Sequence, residues 1–170
     1  MTKDDKPLVV IVGKSGTGKN YLCKSLLLNS LPSYTTRPKR VDEIDGVEHY
    51  FTDMKEWELF SKSDQTTACT CYNNNYYWSV KNQIENYDYD AYIINPEGVA
   101  SIFRYRENMT LSRDFTVVYF KASVFKRIKN MRKRKDSWSS IFERIINDYN
   151  AFKEFEKIAE NKYSAKIIEI

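Results

Sequence analysis

The sequence predicts an α/β fold, in which a mostly parallel sheet is flanked by helices, and three observations support this. Strand and helix signals alternate along the chain, the order typical of strand–helix–strand units. Residues 8–12 and 115–120 are continuous apolar runs rich in β-branched and aromatic side chains, as expected of strands covered on both faces. A glycine-rich turn connects the first run to a helical pattern. The 170 residues are enough for one domain with a sizeable core.

Most elements follow from local patterns. The predicted strands are residues 8–12, 66–72, 76–80, 90–95, 115–120 and 165–170. A helix is expected from about Gly18, where apolar positions take helical spacing, and Pro32 marks its end region. Residues 54–62 and 96–108 predict two further helices. Residues 33–53 predict loops and short extended pieces.

Two serines predict the starts of the later helices. Ser123 can cap a helix by accepting a hydrogen bond from a backbone N–H of its first turn. Ser140 and Glu143 form a capping box, which predicts a long helix that begins there. The residues expected on the inward face of this helix are Ile141, Ile145, Tyr149, Phe152 and Ile158.

Composition narrows the classes of function. The formal net charge of +4 is mild; it suits an anionic small molecule and does not call for nucleic acid. No apolar run approaches the roughly 20 residues of a membrane span. An odd number of cysteines and a charged N-terminus, unlike a secretory leader, predict a cytoplasmic protein. We expect one domain over 1–170, with a core at about 1–32 and 88–170 and an insert at about 33–87.

The turn after the first strand fits a phosphate-binding loop, G-x-x-x-x-G-K-[ST], in all but its last letter. Its residues are Gly13, Lys14, Ser15, Gly16, Thr17, Gly18, Lys19 and Asn20. Glycines let several backbone N–H groups point at phosphate oxygens, and the following helix offers its positive end. Lys19 would bring a full charge to the outer phosphates of ATP. The motif follows a strand and opens a helix, which is the context that it requires.

Asn20 is the departure from this motif, because a Ser or Thr hydroxyl normally meets Mg²⁺ at that position. The Asn20 amide oxygen is a neutral oxygen ligand that could reach the ion directly or through water. Mg²⁺ keeps several waters and relies on substrate phosphates. We therefore expect weaker metal affinity, and we do not expect its loss.

A second motif follows at residues 33–51, where two arginines three apart form a possible fork for another phosphate. Taken with the phosphate loop, this stretch resembles guanylate kinases, whose pattern is S-x-T-T-R-x-x-R, then an acidic residue, a Gly and an aromatic pair. The matching residues are Ser33, Thr35, Thr36, Arg37, Arg40, Glu43, Gly46, Tyr50 and Phe51. The resemblance implies a phosphate-loop kinase fold, an inserted monophosphate-binding lobe and a mobile lid.

The resemblance also implies roles for individual residues. Arg37 and Arg40 would hold the phosphate of the acceptor nucleotide, and Tyr77 would touch it. Tyr50 is our choice for the family's other phosphate-binding tyrosine, although a strict count of positions falls on His49. Ser33 and Ser79 would face the base, a contact that the resemblance assigns to both serines.

A basic segment with seven Lys and Arg residues over 126–135 has three interpretations. It could be a nucleic-acid or nuclear-localisation patch, a solvated helix end, or the kinase lid. The resemblance implies a lid at about 130–143, with Arg132 or Arg134 over the triphosphate and Arg144 on the next helix.

The match to guanylate kinases fails at the base. The glutamate with which they read guanine falls on Ala68, which accepts no hydrogen bond. Two aspartates of the family fall on Ile93 and Asn95. A site that leaves donors of its ligand unpaired discriminates against that ligand. The acceptor therefore stays open between GMP or dGMP and another (deoxy)nucleoside monophosphate.

The reaction implied is transfer of the ATP γ-phosphoryl group to a nucleoside monophosphate, with Mg²⁺ as cofactor and no general base. The positive charge would come from Lys19, Arg37, Arg132, Arg134 and Arg144. The alternative outside enzymes is a catalytically silent module of this family, which would use the same arginines for a phosphorylated peptide. Such modules usually have a degraded phosphate loop, whereas this loop keeps its glycines and Lys19.

Overall fold

A computed structural model describes residues 6–72, 74–108 and 111–170, so residue 73, between the predicted strands 66–72 and 76–80, lies outside the described residues. The strands are β1 (Leu8–Gly13), β2 (Ser33–Thr35), β3 (His49–Phe51), β4 (Thr66–Tyr72), β5 (Asn75–Val80), β6 (Ala91–Ile93), β7 (Phe115–Lys121) and β8 (Lys166–Glu169). The helices are α1 (Lys19–Ser25), α2 (Met54–Ser61), α3 (Lys81–Ile84), α4 (Pro96–Asn108), α5 (Val124–Lys133), α6 (Trp138–Lys153) and α7 (Phe155–Tyr163).

The core sheet has the strand order β6-β1-β7-β8, and every pair in it is parallel. β1 lies inside the sheet, which is why its sequence is apolar throughout: Leu8, Val10 and Val12 are fully buried. Parallel strands need crossover helices on the faces of the sheet. The α/β prediction is confirmed.

Aromatic side chains join the helices to one face of this sheet. The Phe103 ring on α4 lies 5.0 Å from Phe115 on β7 and 4.8 Å from Tyr163 on α7, measured between centroids. Tyr119 on β7 packs against Phe152 at 5.7 Å. On the other face, Cys23 of α1 packs in a smaller cluster with Phe120. The first helix is thereby fixed against the sheet at the end where the glycine-rich loop lies.

A second sheet, with the order β3-β2-β5-β4, is built from residues within the range predicted for the insert. It is mixed, because β2 pairs with β3 in parallel and with β5 antiparallel. Trp78 is fully buried at its centre, with ring centroids 5.5 Å from Tyr34, 5.0 Å from Trp57 and 5.8 Å from Phe60. This aromatic core holds the insert together on the face away from the cleft.

The later helices differ from the sequence prediction in their boundaries. Ser123 caps α5 as expected, accepting from the Lys126 N–H. α6, however, begins at Trp138 and is capped by Ser137, which accepts from the N–H of Ser140 at 3.2 Å. The predicted start at Ser140 is therefore wrong by one turn. Both serines lie before an apolar stripe, and only the backbone decides which of them is extended and can cap.

The predicted long helix is broken in two. Its inward face is confirmed at Ile141 and Phe152, which are buried, and is wrong at two other positions. α6 ends at Lys153 and α7 begins at Phe155. Tyr149, expected to face inward, is 63% exposed, and Ile158 is also exposed, whereas Asp148 is buried. The hydrophobic pattern misplaces Tyr149 because its neighbour Asp148 is buried instead. The Asp148 carboxylate has charged and polar partners in the interior.

Candidate active site

The loop between β1 and α1 requires its glycines. Gly16 and Gly18 have φ angles of 78° and 93°, in the left-handed region that favours glycine. A Cβ added at Gly16 would lie 2.5 Å from the backbone oxygen of Arg127. A Cβ added at Gly13 would lie 2.9 Å from the backbone oxygen of Phe120. The loop therefore packs closely against β7 and α5, and its path is fixed by the rest of the fold.

Lys19 crosses the inside of this loop. Its Nζ donates hydrogen bonds to the carbonyl oxygen of Gly13 and, at 3.2 Å, to that of Lys14. Burial lowers the pKa of Lys19 to about 8; Asp148 opposes this shift, and nearby Arg127 and Arg134 add to it. A phosphate group bound here would raise this pKa again, because an anion favours the charged amine. The loop is therefore electrostatically prepared for an anion.

Side chains of α5 and α6 hold the loop from behind. Arg127 donates from Nε to the Ser15 carbonyl oxygen, and Asn130 donates from Nδ2 to that of Gly16, both at 2.8 Å. Asp148 accepts from the Ser15 N–H at 2.8 Å and from its hydroxyl at 3.2 Å. Arg127 and Asp148 also form an ion pair whose side chains are 4% and 9% exposed. This clamp fixes the loop before any ligand arrives.

The clamp was not foreseen in the sequence. No motif contains Asn130 or Asp148, and these residues lie more than 110 positions from the loop that they hold. The one available signal was an aspartate among the apolar positions of the last long helical pattern, Asp148 next to Tyr149. A second contact outside the motif is the ion pair between Lys14 and Glu156, at 2.7 Å.

The two motif arginines of the insert surround one carboxylate. Arg37 forms a bidentate contact with Glu43, with hydrogen bonds of 2.8 Å and 3.0 Å. The backbone N–H of Arg40 donates to the same carboxylate at 2.9 Å. Burial would raise the pKa of Glu43, but these hydrogen bonds outweigh it and the pKa lies below its ordinary value. Burial, Arg37 and Arg144 lower the pKa of Arg40. Arg37 and Arg40 thus share the carboxylate of Glu43, and Arg144 is near enough to act on the charge of Arg40. A phosphate bound here would be favoured by these cations.

The three arginines proposed around the lid differ in what they approach. Arg134 bonds to Asp136 at 2.7 Å and lies close enough to Lys19 to lower its pKa. Arg144 approaches Arg40, as its effect on that guanidinium shows. Arg132 instead lies 4.9 Å above the ring of Trp138. Arg134 is thus within electrostatic range of Lys19 and Arg144 within that of Arg40, whereas Arg132 packs on an aromatic side chain.

The strands of the insert place the remaining predicted residues on two faces. Ser33 pairs in register with His49, and Thr35 with Tyr77. The ring of Tyr77 lies 5.7 Å from that of His49, and its phenol is near enough to Arg37 to raise the pKa of that guanidinium. Ser33 and Tyr77 thus lie on the side of the arginines. The contact of Ser33 with a base and that of Tyr77 with a phosphate stay predictions.

Tyr50 is a correction to the sequence analysis. Its ring stacks on Tyr34 at 5.0 Å, on the face of the aromatic core, while His49 lines the cleft. Adjacent strand residues point to opposite faces, so a shift of one position moves the choice from the cleft to the core. The strict count falls on His49, which lines the cleft, and a phosphate contact of either residue stays a prediction.

The base-reading residues are less accessible than expected. Ser79 is fully buried, and its hydroxyl bonds to that of Thr67 at 2.8 Å and to Tyr92. Ala68 is opposite Ser79 in the sheet and packs into the core. Asn95 has its amide engaged by Thr70 and by the N–H of Gly98, both at 2.8 Å. In this structure the predicted contact of Ser79 with a base would require movement of these partners.

A cavity of about 500 Å³ lies between α1 and the insert. Its lining includes Asn20, Arg37, Arg40, Glu43, His49 and Ile93. Asn20 therefore stands between the phosphate loop and the arginine cluster, where a neutral oxygen could serve a cation bound to phosphates. Among the described residues, no group of three or more His, Cys, Asp or Glu side chains could hold a metal by itself. In the same ranges, the helices are too short or too polar to span a bilayer.

A parallel sheet with a phosphate loop after its first strand, facing an arginine cluster on an inserted lobe, defines a phosphate-loop nucleotide kinase. The family profile described as guanylate kinase matches residues 5–169. The chain belongs to the guanylate kinase family, as the resemblance in the sequence predicted.

Relatives and a solved structure agree with this assignment. The chain is 30% identical to the guanylate kinase of Mesomycoplasma hyopneumoniae strain 7448 over 138 residues, which cover 75% of this chain and 70% of that protein. It is 42% identical to the guanylate kinase of Mycoplasma genitalium over 84 residues, 46% of this chain and only 35% of that relative. The crystal structure of guanylate kinase from Anaplasma phagocytophilum matches 99% of this chain and 79% of its own, with a TM-score of 0.67 and 18% identity. That likeness shows a shared fold.

Proposed function

We propose that this protein is an active nucleoside monophosphate kinase that transfers the γ-phosphoryl group of ATP to GMP or dGMP. The observation that carries the proposal is the pair of cationic sites on the two sides of one cleft. On one side Lys19 lies in the phosphate loop, with Arg134 near enough to act on its charge. On the other side Arg37 and Arg40 line the cavity, with Arg144 near enough to act on Arg40. Two phosphorylated substrates could bind there end to end.

The residues would act by positioning and by charge. The acceptor phosphate, with a second pKa of about 6, is largely ionised near pH 7 and can attack without a general base. Arg37 and Arg40 would orient it, with Tyr77 as a further donor. Lys19 and Arg134 would stabilise charge on the transferring group, and Arg144 would do so from the acceptor side. Arg132, stacked on Trp138, has no role in this scheme without a movement of the segment.

Asn20 fits a supporting role toward Mg²⁺, because its side chain is exposed in the cavity lining next to Lys19. The chemistry that Mg²⁺ supplies when bound is neutralisation of phosphate charge. An amide oxygen is a weaker partner for this hard cation than the usual hydroxyl, and the phosphates would carry most of the affinity.

Replacing Asn20 by serine should lower the Mg²⁺ concentration that gives half-maximal rate. The reason is that a hydroxyl at this position is the usual oxygen for the ion. The measurement is a Mg²⁺ titration of the initial rate at saturating nucleotides. A half-maximal concentration that does not change would contradict the assigned role, and Asn20→Ala serves as the control that removes the oxygen altogether.

Base specificity is the open part of the proposal. Ala68 is buried in the core and supplies no acceptor, so another (deoxy)nucleoside monophosphate is the alternative substrate. A silent phosphopeptide-binding module is a weaker alternative, because the intact loop, its clamp and Lys19 have no use in such a module. Cytoplasmic location stays a prediction from composition.

The deciding experiment is a coupled ADP-release assay with ATP, Mg²⁺ and a panel of (deoxy)nucleoside monophosphates. Turnover with GMP and dGMP only would establish guanine specificity. Turnover that is faster with another base would replace the substrate and keep the class of reaction. Absence of turnover with every nucleotide, together with binding of a phosphopeptide, would overturn the kinase and favour the silent module.

A further inference from the structure

The only histidine of the chain, His49, lies in the cleft wall. It is the first residue of β3, and its Nδ1 lies 2.9 Å from the hydroxyl oxygen of Ser33 on β2. The edge-on rings of Tyr77 and Phe51 pack beside it, with centroids at 5.7 Å and 5.8 Å. The imidazole is therefore held in place by a hydrogen bond and by two rings.

The charged groups around this imidazole come from the loop before β3. Arg37, Arg40 and Glu43 all act on it, and Glu43 is engaged by both arginines. The other groups facing it are the Ser33 hydroxyl on β2 and the Tyr77 phenol on β5. Of the neighbouring carboxylates, Asp45 accepts from the Phe51 N–H and Glu48 from the Ile44 N–H. Burial, with Arg37 in second place, lowers the pKa of His49, so the ring is neutral in the free protein near pH 7.

A phosphate dianion in this cavity would reverse the balance of charge. It would offset the two arginines and would favour a third cation at the same place. A protonated imidazole carries an N–H donor on each nitrogen. The ring can therefore keep its contact with Ser33 through Nδ1 and donate from Nε2 to a phosphate oxygen.

We propose that His49 takes up one proton from solvent when the acceptor monophosphate binds and donates to that phosphate as an imidazolium, which links acceptor affinity to pH. This inference rests on the proposed function, because it assumes that the cavity between α1 and the insert receives the acceptor. It adds a phosphate-binding residue whose charge, unlike that of Arg37 and Arg40, changes with pH near neutrality. The alternative is a histidine that stays uncharged when the acceptor binds and serves only to pack in the cleft wall and to bond to Ser33.

The test is calorimetric titration of the ATP-free protein with GMP between pH 6 and pH 8, in pairs of buffers with different ionisation enthalpies. The variants are His49→Asn, whose amide can keep the contact at the Nδ1 position, and His49→Gln, whose amide can reach the Nε2 position. Neither amide titrates in this range. The ionisation of GMP is common to all three proteins and cancels in ratios of their dissociation constants.

We expect the wild type to take up more protons than either variant on binding GMP. The ratio of variant to wild-type dissociation constants should rise by up to about tenfold from pH 8 to pH 6, the effect of one unit of pKa change. Equal proton uptake and a constant ratio, with GMP still bound, would overturn the role of His49 and leave the proposed function standing. Failure of the wild type to bind GMP at any pH would overturn both. Thermal unfolding midpoints of the variants, if close to the wild type, exclude misfolding as the cause.

Discussion

Replacing Lys19 by alanine should reduce phosphoryl transfer by about 10²–10³-fold, the range found when a central charge-stabilising donor is removed. The amine crosses the inside of the phosphate loop, where it bonds to the carbonyl oxygens of Gly13 and Lys14. The variant therefore loses the positive charge that would face the transferring group, and it loses the hydrogen bonds across the loop. Initial rates at saturating ATP and acceptor, compared with kcat/KM, would show whether the loss is in the transition state.

Lys157→Ala is the matched control for this variant. Lys157 is exposed on α7, and its ion pair with Glu154 is a local contact between residues three apart. Its removal should leave the rate unchanged. A Lys19→Ala rate within tenfold of the wild type would remove the mechanism proposed for the loop, provided that both variants unfold at similar temperatures.

Features encoded by consecutive residues were the ones that the sequence could predict. The strand β1, the glycine-rich loop and the start of α1 form one contiguous pattern, and each part is found where it was expected. The same holds for α4 at residues 96–108, where the predicted and observed bounds agree. Local backbone preference and hydrophobic period determine such features.

Features that depend on register were the ones that failed. Tyr50 and His49 differ by one position, which decides between the aromatic core and the cleft. Tyr149 and Asp148 differ by one position on a helix, which decides between solvent and the back of the phosphate loop. Hydrophobicity favours Tyr149 as the buried residue. Asp148 is buried instead because Arg127 and Ser15, both distant in sequence, provide its partners.

Breaking the clamp behind the loop should cost far more stability than breaking a surface ion pair. Arg127→Ala would leave the Asp148 carboxylate buried without its main partner, at a cost of about 3–5 kcal/mol. For a chain of this size, the thermal midpoint should fall by roughly 6–20 °C. Chemical denaturation followed by circular dichroism would give the free energy of unfolding directly.

The matched control is Arg106→Ala, which removes an ion pair of 2.8 Å with Asp114 at side-chain exposures of 44% and 79%. Exposed pairs are worth only about 0–1 kcal/mol, because water already solvates both charges.

The double variant Arg127→Met with Asp148→Leu should recover part of the lost stability, since it removes both buried charges. Recovery should be incomplete, because the N–H and hydroxyl of Ser15 lose their acceptor. If Arg127→Ala were no less stable than Arg106→Ala, the ion pair would not hold the phosphate loop. The fixed conformation of that loop in the ligand-free protein would then need another cause.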